Sequence, residues 1–211
     1  MTQVSDDILS RLQQSASSHV AKSDEQNAQA GSPFSKTRPI PPLAKWNPEY
    51  CGDMDLTIRA NGEWWHEGTR MTRQKMIDLF SSVLWSEEVD GQTRYFLKTP
   101  VEKIQIQVED APLIVTEVEE IEYQGKLYIE LKTENGDYVV ASDDHPIIMR
   151  EFAGEMRPYV LVRGGLWALI HRNTFFHLVG MGELTTTKDT TLLELKSGEA
   201  SFVLEQKSQL S

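Results

Sequence analysis

Arg157, Tyr159, Leu161 and Arg163 recur at every second residue, the period at which side chains of a β-strand share one face. Val160 and Val162 then point to the opposite, buried face. Two guanidiniums flanking an aromatic ring can hold a phosphate bidentately and stack a base. The competing reading is a solvated strand face whose arginines pair with acids on neighbouring strands. With 32 Asp and Glu against 21 Lys and Arg, such acids are plentiful.

Two carboxylate pairs offer other chemistry. Asp53 and Asp55 lie two apart, so on a strand both point to one side, where they could hold Mg²⁺ together with a bound phosphate. The structural alternative, Asp side chains bonding loop N–H groups where Cys51-Gly52-Asp53 enters the first strand, is preferred. Glu109 and Asp110 could form an acid/base pair, but adjacent strand residues point oppositely unless Pro112 bends the chain, and capping is the preferred role. The histidines do not group: His171 and His177 are six apart, and His145 follows Asp143-Asp144 in what reads as a turn. Cys51, the single thiol, has acids for sequence neighbours and is read as a packing residue. No GxSxG elbow or GxxxxGK[ST] loop is present. No catalytic residue, metal site or cofactor is expected from this set.

Composition narrows the class. A net charge of −11 argues against a generic binder of nucleic acid, whose affinity comes from neutralising phosphates. No apolar run is long enough for a membrane span, and the first residues lack the basic and apolar regions of a secretory signal. One cysteine excludes an internal disulfide. The expectation is a soluble protein of the cytoplasm.

The elements that must position these residues are mostly strands. Residues 1–36 read as a tail, with a short helix over 6–16 (Ile8, Leu9 and Leu12 on one side) and a disordered stretch over 13–35. Pro39, Pro41, Pro42 and Pro48 impose an extended strap that Ile40, Leu43 and Trp46 lay against the body. A hairpin turns at Asn61-Gly62 in a type I′ geometry, its return strand being 63–66. A helix follows, capped by Thr72, with Met76, Leu79, Phe80, Val83 and Leu84 as its stripe. Strands over 94–98 and 103–109 complete an α+β half spanning 37–110. A meander over 113–123, 127–132 and 138–140 opens the second half, 111–211, with Asn135-Gly136 as another hairpin signal. A hairpin about Gly164-Gly165, a helix capped by Asn173 with Phe175, Phe176, Leu178 and Val179 buried, and strands over 192–196 and 201–204 then replay the first half. The fold class is α+β, mostly antiparallel β, in two tandem halves that each run strand, turn, strand, helix, strand, strand.

Four separated motifs carry a resemblance. They are Trp46-Asn47-Pro48 with Cys51-Gly52-Asp53-Met54-Asp55, then Thr99-Pro100-Val101-Glu102-Lys103, then Gln107-Val108-Glu109-Asp110-Ala111-Pro112, then Arg157-Pro158-Tyr159 with Arg163-Gly164-Gly165-Leu166. In this order they resemble the bacterial family known as domain of unknown function 1285, over residues 38–205. The resemblance implies a duplicated core whose C-terminal half is superficially like a pleckstrin-homology barrel. It also implies a ligand site at the interface of the halves, suggested for a nucleotide, and a role in signal transduction. On this reading Arg157, Tyr159 and Arg163 face that seam near Glu102, Lys103 and the Asp53 region, and Asp55, Glu109 and Asp110 join the candidate ligand set. The expected function is a non-catalytic module for a small anionic ligand. The alternative is a protein-interaction adaptor using exposed strands or Trp64, Trp65 and Trp167; a metal-dependent hydrolase at Asp53 and Asp55 ranks third.

Overall fold

The structure, a computed structural model, describes residues 38–186 and 190–208 together with Ser10, Gln14, Pro33 and Phe34, residues 206–208 by their backbone alone. Of the helix expected over 6–16, Ser10 and Gln14 are helical and the rest lies outside the described residues, as does most of the stretch expected to be disordered. The described chain is mostly β and divides into two compact units.

The first unit contains Arg38–Pro112 and the hairpin tip Gly164–Leu166. After a 3₁₀ turn, Leu43–Lys45, come β1 (Tyr50–Ile58), β2 (Trp64–His66), β3 (Thr69–Arg70), α1 (Gln74–Ser82), β4 (Leu84–Val89), β5 (Gln92–Lys98) and β6 (Lys103–Val108). They form one sheet in the order β3-β2-β1-β6-β5-β4, with β1 and β6 parallel and the other pairs antiparallel. Leu56, Ile58, Phe80, Val83, Leu84, Leu97 and Ile104 are almost wholly buried and make its core.

Two local expectations change here. The β1–β2 connection is a three-residue loop, not a two-residue type I′ turn. Arg59 N–H donates to the Glu63 carbonyl, Gly62 N–H to the Arg59 carbonyl, and only Gly62 of the Asn-Gly pair has positive φ, 86°. This is a turn closed by a left-handed glycine, the next commonest hairpin solution. The helix ends at Ser82, and Arg73, not Thr72, stands at its N-cap. Leu84 begins β4, a strand absent from the sequence reading because its buried side chain continues the helical spacing of Phe80 and Val83.

The second unit contains Leu113–Arg163 and Trp167–Ser211. Its strands are β7 (Leu113–Tyr123), β8 (Lys126–Thr133), β9 (Tyr138–Val140), β10 (Ile147–Phe152), β11 (Glu155–Arg163) and β12 (Leu166–Ile170). Then come α2 (Arg172–Met181), β13 (Glu183–Thr186), β14 (Thr190–Ser197) and β15 (Ala200–Ser208). Six strands in the order β10-β11-β12-β7-β8-β9 curl into a half-barrel, and β13-β14-β15 form a separate antiparallel sheet. Gly164 and Gly165 both have positive φ, 50° and 78°, so the β11–β12 turn is the two-residue kind that the Gly-Gly pair predicts. The cap of α2 is His171, whose Nδ1 accepts from Asn173 N–H at 3.3 Å, so Asn173 is not the cap. Thr174 and Leu178 are buried, while Phe176, expected inside, is 60% exposed.

Both halves contain a strand, a Gly turn and a strand followed by a helix and three strands, the first half with the short β3 inserted before its helix. Beyond the strands the sequence reading assigned, the first half has β3 and β4 and the second half β10 and β13. Pairing differs between the copies. In the first unit β6 returns beside β1, whereas in the second it is β7 that pairs in parallel with β12. No helix among the described residues is long and apolar enough to cross a membrane.

Candidate functional site

β11 carries the Arg-Tyr-Arg pattern, and its neighbour β10 changes what the pattern means. In the antiparallel β10–β11 ladder, Phe152 pairs with Glu155, Arg150 with Arg157, and Ile148 with Tyr159. Arg150, Phe152, Arg157 and Tyr159 therefore share one face. The Arg150 guanidinium lies 4.0 Å from the Tyr159 ring centroid, and the Arg157 guanidinium 4.8 Å from that of Phe152. Tyr159 is fully buried, and Arg150 lies over the ring that the sequence reading offered for stacking a base. Arg157 keeps about a quarter of its side chain exposed and pairs with the exposed Glu155 at 3.3 Å.

Arg163 has a different role. Its Nε lies 3.5 Å from Oδ1 of Asp137, a carboxylate only 2% exposed. The Asp137 backbone N–H donates to Thr133 Oγ1 at 3.0 Å, which holds the acid in the loop after β8. Arg163 thus meets an acid, but one in the β8–β9 loop and not on a strand next to β11 in the sheet order.

The remaining candidates belong to the first unit. Asp53 and Asp55 do point to one side of β1, and both are exposed. Tyr50 O–H donates to Asp53 at 2.8 Å, which raises the phenol's pKa. Glu109 accepts the Ala60 N–H at 2.9 Å and the Arg59 guanidinium at 2.7 Å. These bonds, the backbone one foremost, hold its carboxyl below the ordinary range and clamp the β1–β2 loop. Glu102 closes the turn between β5 and β6: its backbone N–H donates to Thr99 Oγ1 at 3.1 Å, and its carbonyl accepts Thr99 N–H at 2.9 Å. Among the described residues no three His, Cys, Asp or Glu side chains converge as a metal would need. Trp64 is buried against Phe80, and Trp65 donates to Glu63 beneath Arg59, so two of the three tryptophans proposed for an adaptor face are occupied within their own unit.

Lys103 belongs to a cluster that sequence reasoning missed. Its ammonium forms two hydrogen bonds to Glu87, at 2.8 and 3.0 Å, and Glu87 also accepts Trp85 Nε1–H at 3.0 Å. Directly opposite Lys103 in the β5–β6 ladder stands Lys98, 5% exposed, with Nζ 4.0 Å from the Trp85 ring centroid. Burial is the largest influence on Glu87 and raises its pKa, but the bonds from Lys103 and Trp85 together hold it below the ordinary value. Burial pushes the Lys98 amine down, against the pull of Glu87, and Lys103 pushes the same way. Strand alternation over β4, β5 and β6 was the signal for this cluster, and it needed β4 to be recognised as a strand.

A family profile described as the N-terminal domain of a domain of unknown function, DUF1285, matches residues 41–111, and its C-terminal counterpart matches residues 112–204. A crystal structure of a DUF1285 family protein from Silicibacter pomeroyi DSS-3 is similar at 38% identity and a TM-score of 0.70, over 80% of this chain and 89% of that one. A DUF1285 family protein from Shewanella baltica OS155 shows 30% identity over 60% of this chain and 91% of that one, with a TM-score of 0.47. A search of curated proteins finds no match. With both profiles in sequence order over the two halves and a structural relative at this identity, the chain belongs to the DUF1285 family.

Proposed function

We propose that the protein is a non-catalytic binding or signalling module that takes a small anionic ligand, such as a phosphate ester or nucleotide, on the β10–β11 face of its second half. The observation that carries this reading is the Arg150–Arg157 cross-strand pair. Like charges directly opposite on neighbouring strands destabilise a sheet. Here each guanidinium lies over a ring of the same face, which orders it before any ligand arrives. An anion set between the two ordered guanidiniums gains charge-assisted hydrogen bonds, in competition with the exposed Glu155 carboxylate that Arg157 already meets. Because the Tyr159 ring is covered, recognition rests on the anionic group and not on stacking against that tyrosine. Cys51 as the single thiol is in keeping with the cytoplasm as the working compartment.

The test is a thermal-shift screen with inorganic phosphate, nucleoside mono- and triphosphates and acetate, at fixed ionic strength. A ligand at a hundred times its dissociation constant adds about 2.7 kcal/mol. Phosphate-bearing compounds should raise the melting temperature and acetate should not. Loss of the shift in Arg150→Ala and Arg157→Ala locates the site. A shift that survives both substitutions refutes it.

A second reading, a protein-interaction adaptor, has one specific support. β13 lies at the edge of the described three-stranded sheet with all four residues exposed, Leu184 at 73%. Such an edge can accept a strand from a partner. Retention of a partner by wild type and its loss with Leu184→Lys would favour this reading.

A further inference from the structure

Lys98 is a cation nearly out of water, on a face shared with Trp85, Glu87, Phe96 and Lys103. Its strand also bears Arg94, half-buried on the same side. Burial and a second ammonium directly opposite both disfavour the charged amine, while the Trp85 ring and Glu87 favour it. Glu87 is engaged by Lys103 through two hydrogen bonds and by Trp85 through a third, and the net effect lowers the amine's pKa. A desolvated lysine beside another cation is the arrangement that makes an amine nucleophilic toward carbonyl carbon.

We infer that Lys98 is a reactive amine that condenses reversibly with a small aldehyde or ketone. The neutral Nζ lone pair attacks the carbonyl carbon, a C–N bond forms, and the oxygen takes up a proton as nitrogen loses one. Loss of water then breaks the C–O bond and leaves an imine, with no oxidant or reductant involved. When protonated, the imine keeps a positive charge over the Trp85 ring, so the cluster's charge balance survives the reaction. The near-complete burial of Lys98 restricts the partner to a slim molecule. This site is in the first unit and does not depend on the anion site of the second.

The test uses the full chain with limiting formaldehyde as probe and cyanoborohydride to trap the imine, followed by peptide mass mapping. Lys126 and Lys196 are internal comparators: they are exposed, and ion pairs with Glu199 and Glu183 raise their pKa. At neutral pH Lys98 should be modified several-fold faster than either, the preference should widen as the pH is lowered, and it should vanish in denaturant. In Glu87→Gln, which removes a charge favouring the ammonium, Lys98 should react faster still. Modification of Lys98 at the comparators' rate or below, in the folded wild type, overturns the inference whatever the variant does.

Discussion

Arg163 stands 3.5 Å from Asp137, placing a guanidinium beside one of the most deeply buried carboxylates in the second unit. Removing one partner of a buried ion pair strands the other's charge, at about 3–5 kcal/mol. Arg163→Ala should therefore lower the free energy of unfolding by an amount in that range, measured by urea denaturation. A loss below about 1 kcal/mol, the value of a surface pair, would show that Asp137 is satisfied without Arg163.

Thr99 ties the turn between β5 and β6. Its hydroxyl oxygen is positioned to accept the backbone N–H groups of Val101 and Glu102, at 3.4 and 3.1 Å, and the residue is fully buried. Thr99→Val keeps the shape and removes the acceptor. A buried donor left without a partner costs about 1–3 kcal/mol, and equilibrium unfolding should show that loss.

Glu109 makes stability depend on pH. Its folded pKa lies below its ordinary value because Ala60 N–H and Arg59 bond the carboxylate. The contribution is present above the ordinary glutamate range and is lost as pH falls through the folded pKa. The stability difference between wild type and Glu109→Gln should be largest near neutrality and shrink on acidification. A difference that is constant with pH would mean that the contact lowering the Glu109 pKa is absent in solution.

Phe34 falls inside the stretch that the sequence analysis reads as a tail. Its ring stacks edge-on against Tyr123 and Tyr128, with centroids 5.9 and 5.4 Å away. Arg38, four residues on, donates from one nitrogen to the Asp78 carbonyl and to Ser81 Oγ at 2.8 and 2.9 Å. Aromatic pairs contribute about 0.5–1.5 kcal/mol beyond their buried area. A chain starting at Thr37 should be less stable than one starting at Gly31 by about that much, and Phe34→Ala in the longer chain should reproduce the difference.

What was legible in the sequence followed from period and turn chemistry. The Gly-Gly pair between β11 and β12 was readable because both glycines take positive φ, while in β8 the alternation buries Ile129 and Leu131 but leaves Leu127 exposed and buries Glu130 as well. β4 was hidden because Leu84 serves strand packing at a helical spacing from Phe80. β10 was hidden because Ile147, Ile148 and Met149 show no alternation, and Arg150 went unnoticed with it. Arg163 looked equivalent to Arg157, since strand period assigns a face but does not say which acid waits there. Asp137 lies 26 residues earlier, in a hairpin loop, and only the folded sheet brings the two together. Lys98 escaped for the same reason: its neighbours Trp85, Glu87 and Lys103 come from two other strands.

The proposed function requires that Arg150 and Arg157 together hold an anion. The direct measurement is isothermal titration of the phosphate compound that most raises the melting temperature, against wild type, Arg150→Gln, Arg157→Gln and the double variant, at two salt concentrations. Each single substitution should weaken binding at least about ten-fold, or 1.4 kcal/mol. The double variant should show no heat of binding, and wild-type affinity should fall as salt rises. Equal affinity in wild type and the double variant, with both proteins folded, would contradict the claim.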